Sequence, residues 1–200
     1  MVRKDSELVG GRLCLDFVNT VSWRGTDEPR DRLGTYADLL RWSERAGALR
    51  RSAAVSLRRV AAENPRSALR ALDRARMLRE ASYRIVVRWR SGRAPATADV
   101  ALVNASAPPR GELSWAHGRF FWSCIAAGSL QSALWPVVWS LADLLSSGDA
   151  RRVSSCRSSA CGWLFYDESR GRRRRWCSMS DCGNREKARR HYARVAHSAR

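Results

Sequence analysis

Cys156 and Cys161 are separated by four residues, and so are Cys177 and Cys182, with fifteen residues between the two pairs. A tight turn at each pair lets two sulfurs converge, and a hairpin-sized insert can bring the pairs together. Zinc takes four donors in a tetrahedron, and thiolates suit its borderline-soft character. Four cysteine ligands leave no open position, which points to a structural ion rather than a catalytic one. Two disulfides or an iron–sulfur cluster are the other uses of four cysteines. Disulfides need an oxidising compartment, and residues 1–12 (MVRKDSELVGGR) are mostly polar rather than leader-like. Iron–sulfur clusters use other spacings. One structural zinc ion is the expected cofactor, and a cytoplasmic protein with reduced thiols is the expected setting.

The same segment carries much of the charge. The formal net charge of the 200 residues is +18, almost all of it from arginine, since lysine occurs only at Lys4 and Lys187. Residues 151–200 hold 14 Lys+Arg against 4 Asp+Glu, a net of +10 in a quarter of the chain. Such a concentration favours a polyanionic partner. The candidate nucleic-acid contacts are Arg172, Arg173, Arg174 and Arg175 in the insert, with Arg185, Lys187, Arg189, Arg190 and Arg194 beyond the last cysteine. Whether these arginines meet phosphates or guanine edges is not decided by sequence.

The elements that must hold these groups follow from the local pattern. Trp163–Tyr166 is aromatic and strand-like, Asp167–Gly171 supplies turn residues, and Arg172–Trp176 is expected to return as a second strand. After Cys182 a helix is expected, with Ala188, Tyr192 and Val195 on one face. Knuckle, hairpin, second ligand pair and helix is the order of a treble-clef finger. Trp163 and Trp176 are expected to form its small core. Asn184 and Arg185 have two readings, a helix cap and junction brace or direct nucleic-acid contact.

Upstream, residues 13–20 (LCLDFVNT) suit a buried strand or a strand passing into a helix. Residues 21–34 read as a loop. Thr35 with Asp38 caps a helix that ends at Gly47, and Ser52 opens a second that stops before Pro65. The spacing of Ala71, Ala75, Leu78, Ser82, Ile85 and Trp89 predicts a long helix from Pro65 to about Arg90. A short helix over Thr97–Ala105, a hairpin over 112–125 turning at His117–Gly118, and a helix over Ser129–Ser146 complete the region. Phe120–Ala142 has no charged residue, yet Gly128, Gln131, Pro136 and four serines interrupt it, so it reads as strand and helix rather than membrane span. The expected fold class is α+β: a mainly helical domain with a small antiparallel sheet (1–148), then a treble-clef zinc finger (149–200).

Asp16, Asn19 and Thr20 are polar residues in an apolar run, and with Trp42 or Trp115 they form a candidate ligand pocket. The alternative is that they cap or turn the chain. Cys14 reads as a small core residue. Gly-rich phosphate loop, nucleophile elbow and acid pair are all missing from the sequence, so catalysis is not expected.

The stretch RWCSMSDCGNREKARRHYAR, with Cys182–Gly183–Asn184–Arg185 in it, resembles the CGNR zinc-finger family. LCLDFVNT and TYADLLRWSERAGAL resemble the ABATE domain that accompanies this finger. The resemblance implies a stress-induced transcription regulator with a DNA-binding C-terminal finger and an N-terminal domain that takes a small-molecule ligand. An RNA-binding or ribosome-associated finger protein and a protein-interaction module are the rival readings. No membrane partner is expected.

Overall fold

The computed structural model describes residues 8–108, 111–116, 118–124 and 129–198. His117, half of the expected hairpin turn, lies outside them. By packing, the chain forms two compact units. One joins Met1–Arg32 with Asp149–Arg200, and the other is Leu33–Gly148.

The second unit is helical. Its first helix, α2 (Tyr36–Arg45; α1 is Leu13–Val18 of the other unit), starts at a capping box: Thr35 accepts from the Asp38 amide, and Asp38 accepts from the Thr35 amide. These bonds satisfy amides that a helix start otherwise leaves unpaired. They also hold the Asp38 carboxyl below its usual range against the opposing effect of burial. Helices α3 (Arg51–Glu63) and α4 (Pro65–Arg90) follow, the latter with proline in its first turn, where the missing N–H costs nothing. Along α4, Ala71, Ala75, Leu78, Ser82 and Ile85 are buried as their spacing requires. Helix α5 (Thr97–Ala105) is tied to α4 by Asp99, which accepts from Arg84 through both carboxylate oxygens. Gly111–Ala116 and Arg119–Cys124 form the expected antiparallel hairpin. Residues Leu130–Leu134 make a 3-10 turn before α6 (Trp135–Ser146), so Pro136 starts the α-helix rather than kinking it. Leu39, Leu40, Trp42, Leu78, Val137 and Leu141 are core residues of this unit.

In the first unit, residues 13–18 form a helix, α1 (Leu13–Val18), instead of a strand. Cys14, Leu15, Phe17 and Val18 of α1 are all buried. A short apolar run can serve either element; here the Asp16 and Asn19 amides donate to the Arg12 and Leu15 carbonyls and close helical turns. Two-residue strands β1 (Val21–Ser22) and β2 (Arg30–Asp31) pair within the expected loop. Strand β5 (Val153–Ser155) pairs antiparallel with β6 (Leu164–Tyr166), with Val153 opposite Tyr166 and Ser155 opposite Leu164; β3 and β4 denote the two strands of the helical unit's hairpin.

The strand expected at Arg172–Trp176 does not form; β6 takes its partner from upstream, so the first cysteine pair lies in the loop of the β5–β6 hairpin. Two features explain this. Arg172 sits at φ 47°, left-handed backbone that interrupts extension. Asp167 accepts from the amides of Ser169 and Arg174, folding the segment into a turn-rich loop. A π turn (Met179–Gly183) then leads into α7 (Asn184–Ser198). Among the described residues no helix is long and apolar enough to cross a membrane.

Candidate metal centre

The β5–β6 loop presents Cys156 and Cys161, and the π turn with its approach presents Cys177 and Cys182. The four sulfurs lie within 4.8 Å of one another and all four residues are buried. Cys161 Sγ is 3.7 Å from Cys177 Sγ, which is 3.5 Å from Cys182 Sγ. Tetrahedral zinc with bonds of ~2.3 Å requires sulfurs about 3.8 Å apart. A disulfide requires ~2.05 Å. The donor set therefore fits one tetrahedral ion and not two bridges.

Local hydrogen bonds shape each half. The Cys156 amide donates to the Trp163 carbonyl at 2.8 Å, closing the first knuckle, and the Cys161 amide donates to the Ser158 carbonyl. The Arg157 amide donates to the Arg175 carbonyl, joining the two halves. Without a cation, hydrogen bonds from the thiols of Cys161, Cys177 and Cys182 stabilise a thiolate at Cys156, while the bond to Cys156 keeps Cys161 and Cys177 protonated. Four buried sulfurs cannot all ionise side by side; a dication removes that conflict. Trp163 and Phe165 pack on the cysteines with Val9 and Trp176 at the edge, so both predicted tryptophans belong to this small core. A Cβ on Gly183 would stand 2.5 Å from Met179 Sδ and 3.1 Å from the Trp176 ring. Glycine in the CGNR tetrapeptide thus lets the π turn close over that ring.

The predicted basic residues divide by environment. Arg174 is built into the fold: Nε donates to the Trp176 carbonyl, Nη2 to the carbonyls of Val9 and Cys177, and its plane lies 4.3 Å over the Phe165 ring. Arg185 donates to Asp181 and, at 3.4 Å, to Cys182 Sγ, a bracing contact at the metal ligand itself. Asn184 donates to the Ser180 carbonyl one turn back. Arg189 donates to Glu186. Arg172, Arg173, Arg175, Lys187, Arg190 and Arg194 are exposed. Tyr192 and Val195 are exposed too, at 71% and 54%, so among the described residues nothing covers this part of the apolar stripe of α7.

The candidate pocket residues are distributed over both units. Asn19 lies under β6, pairing with the Leu164 backbone, and Thr20 Oγ1 donates to the Phe17 carbonyl at the end of α1. Asp16 accepts from the Gly10 amide; burial raises its pKa to about 6 despite that bond and the nearby Arg174 charge. Trp42 is core in the helical unit, and Trp115 is exposed there, edge-on to Phe120 at 4.7 Å. None of the five lines the helical unit's apolar cavity of about 260 Å³, whose walls include Ile85, Trp89, Val103, Asn104 and Leu145.

Sequence reasoning missed the anchors around the metal centre. Trp163 Nε1 donates to the Val21 carbonyl at 2.8 Å, and the Tyr166 amide to the Gly10 carbonyl at 2.7 Å. Ser158 Oγ donates to Glu186, linking knuckle to helix. Only the Asp167-Glu-Ser169 step carried a local signal, an aspartate able to bond the amide two residues on.

The model of the ABATE family, described as "Putative stress-induced transcription regulator", matches residues 11–148. The chain belongs to the ABATE family. A CGNR zinc-finger model matches residues 152–195, in the same order along the chain and over all four cysteines. No curated protein matches the sequence. The ABATE match begins at residue 11, whereas by packing residues 11–32 join the zinc-finger segment. The four-cysteine cluster and the CGNR match together identify a metal site.

Proposed function

We propose that this ABATE protein is a DNA-binding transcription regulator, not an enzyme, in which one zinc ion holds a basic surface rigid. The observation that carries this reading is the exposure of Arg172, Arg173, Arg175, Lys187, Arg190 and Arg194 on the loop and helix tied to the four-cysteine cluster. So small and charged a segment has few apolar residues, and in zinc-finger peptides metal binding supplies on the order of 10 kcal/mol toward folding. The arginines are then free to face a polyanion. The reduced thiols suit a cytoplasmic setting.

The test is titration of zinc-loaded protein with labelled duplex DNA and duplex RNA between about 50 and 200 mM salt. Each phosphate neutralised contributes about −0.9 to the log–log salt slope on B-DNA, so several contacts should give a slope of several units. Absence of duplex binding at low salt would sink the proposal, and tighter binding to RNA would favour the ribonucleoprotein reading. The 260 Å³ cavity supports a further element, regulation by a small apolar molecule. Filling it with Val103→Trp should abolish any thermal stabilisation by such a ligand.

A further inference from the structure

Five cations lie on α7, and their surroundings differ. Lys187, Arg190 and Arg194 are exposed, and among the described residues the ion pairs of α7 are Arg185–Asp181 and Arg189–Glu186. Arg185 turns back toward Asp181 and Cys182 Sγ. Arg189 combines fixation with exposure. Its Nε and Nη2 donate to Glu186 Oε2 at 3.1 and 2.7 Å, yet its side chain is 69% exposed. Glu186 is itself only 5% exposed, and its Oε1 accepts from Ser158 Oγ at 3.2 Å. Ser158 is buried between the ligands Cys156 and Cys161. The guanidinium is thus referenced through one carboxylate to the metal knuckle.

Resting on the DNA-binding reading, we propose that Arg189 reads guanine in the major groove, with Glu186 as its positioning residue, and that Lys187, Arg190 and Arg194 hold phosphates. A guanidinium has five N–H groups. Glu186 takes the Nε–H and one Nη2–H, leaving the Nη1/Nη2 end with two parallel donors. That fork matches O6 and N7 of guanine. The side chain is already ordered, so docking costs less rotamer freedom than it would for Arg190 or Arg194. The adjacent carboxylate also repels phosphate, which directs Arg189 toward base edges. A-form RNA closes its major groove to side chains, so the assignment further requires preference for DNA.

The experiment uses the full chain loaded with zinc: wild type, Arg189→Lys, Arg189→Gln, Glu186→Gln and Arg190→Lys. Each is selected against a random duplex library, then titrated on the enriched site and on that site with one guanine pair replaced by adenine. Zinc content and circular dichroism check that each variant is folded. For wild type the replacement should weaken binding roughly 5- to 150-fold, the discrimination of one good bidentate pair. Arg189→Lys, which lacks the rigid fork, should lower that ratio while keeping the salt slope, and Arg189→Gln should shift preference to adenine. Glu186→Gln should lower the ratio with zinc content unchanged, and Arg190→Lys should keep the ratio. Wild type that binds no duplex overturns both this assignment and the DNA-binding reading. Binding without guanine preference, or a preference that Arg189→Gln retains, overturns the assignment of Arg189 alone.

Discussion

Asn19 and Leu164, 145 residues apart, pair as two strands would: Asn19 Nδ2 donates to the Leu164 carbonyl at 2.8 Å, and the Leu164 amide donates to Asn19 Oδ1 at 2.9 Å. A single side chain satisfies both backbone groups of a buried β6 residue, and Asn19 itself is 3% exposed. Substituting Asn19→Leu leaves two buried polar groups unpaired, at about 1–3 kcal/mol each. Denaturant unfolding of the zinc-loaded protein should show a loss in this range, and a chelator should strip the metal faster although no ligand has changed. An unaltered midpoint and stripping rate would show that the segment around Asn19 does not support the metal unit.

That pairing also marks where sequence reading stops. The helices over 36–45 and 65–90, the Thr35–Asp38 cap and the four-cysteine cluster were legible because each rests on local periodicity, local hydrogen bonding or ligand spacing. Asn19 gave the opposite impression, a polar residue in an apolar run and hence a pocket candidate, because its partner lies beyond any local window. The strand expected at Arg172–Trp176 failed for a related reason. Residue types there permit extension, but the turn set by Asp167 and the left-handed Arg172 decide against it.

Cys177→Ser tests the donor set. Its sulfur lies 3.7 and 3.5 Å from those of Cys161 and Cys182, so its loss opens the tetrahedron. Metal analysis should give about one zinc per wild-type chain and a large deficit in the variant. Equal zinc in both would contradict the four-ligand assignment.

Asp16 supplies a pH dependence of known sign. Its folded pKa, raised by burial to about 6, exceeds the ordinary carboxyl value of 3.8. Between those values the folded state keeps a proton that the unfolded state has released, so this group's contribution to stability falls as pH rises and is lost above about 6. At 1.36 kcal/mol per unit the effect is at most about 3 kcal/mol. Asp16→Asn should therefore stabilise the protein at pH 7.5 more than at pH 4.5. Taking the difference between the two proteins at each pH cancels the metal's own proton dependence. A difference that does not change with pH would refute the assignment.

Gly25 tests the contact between the N-terminal segment and the knuckle. A Cβ there would stand 2.1 Å from the Ser159 carbonyl oxygen, a backbone atom that cannot rotate away. Gly25→Ala should lower the melting temperature by several degrees, about 2–4 °C per kcal/mol for a chain of this size. Gly34→Ala, whose Cβ would meet only the end of the Asp38 side chain at 3.4 Å, should cost much less. Similar losses at both glycines would argue that the 24–25 loop is not seated against Ser159.

Arg174 and Arg175 are chain neighbours that should separate stability from binding. Arg174 donates to three carbonyls, covers Phe165 and lies beside the Asp16 carboxylate. Arg174→Ala removes charged hydrogen bonds of about 1.5–3 kcal/mol each and a cation–π contact of roughly 0.5–2 kcal/mol. Partial hydration of the released carbonyls reduces the total, and a net loss of about 3 kcal/mol is expected. Arg175 is exposed, and among the described residues it is engaged through its carbonyl, by the Arg157 amide, so Arg175→Ala should leave the unfolding midpoint nearly unchanged. On DNA the order reverses. Arg175→Ala should reduce the salt slope by about 0.9 if its guanidinium meets one phosphate. Arg174→Ala, measured where it remains folded, should leave that slope at the wild-type value. Equal slopes for Arg175→Ala and wild type, or an intact midpoint for Arg174→Ala, would each contradict the roles that these side chains' surroundings assign.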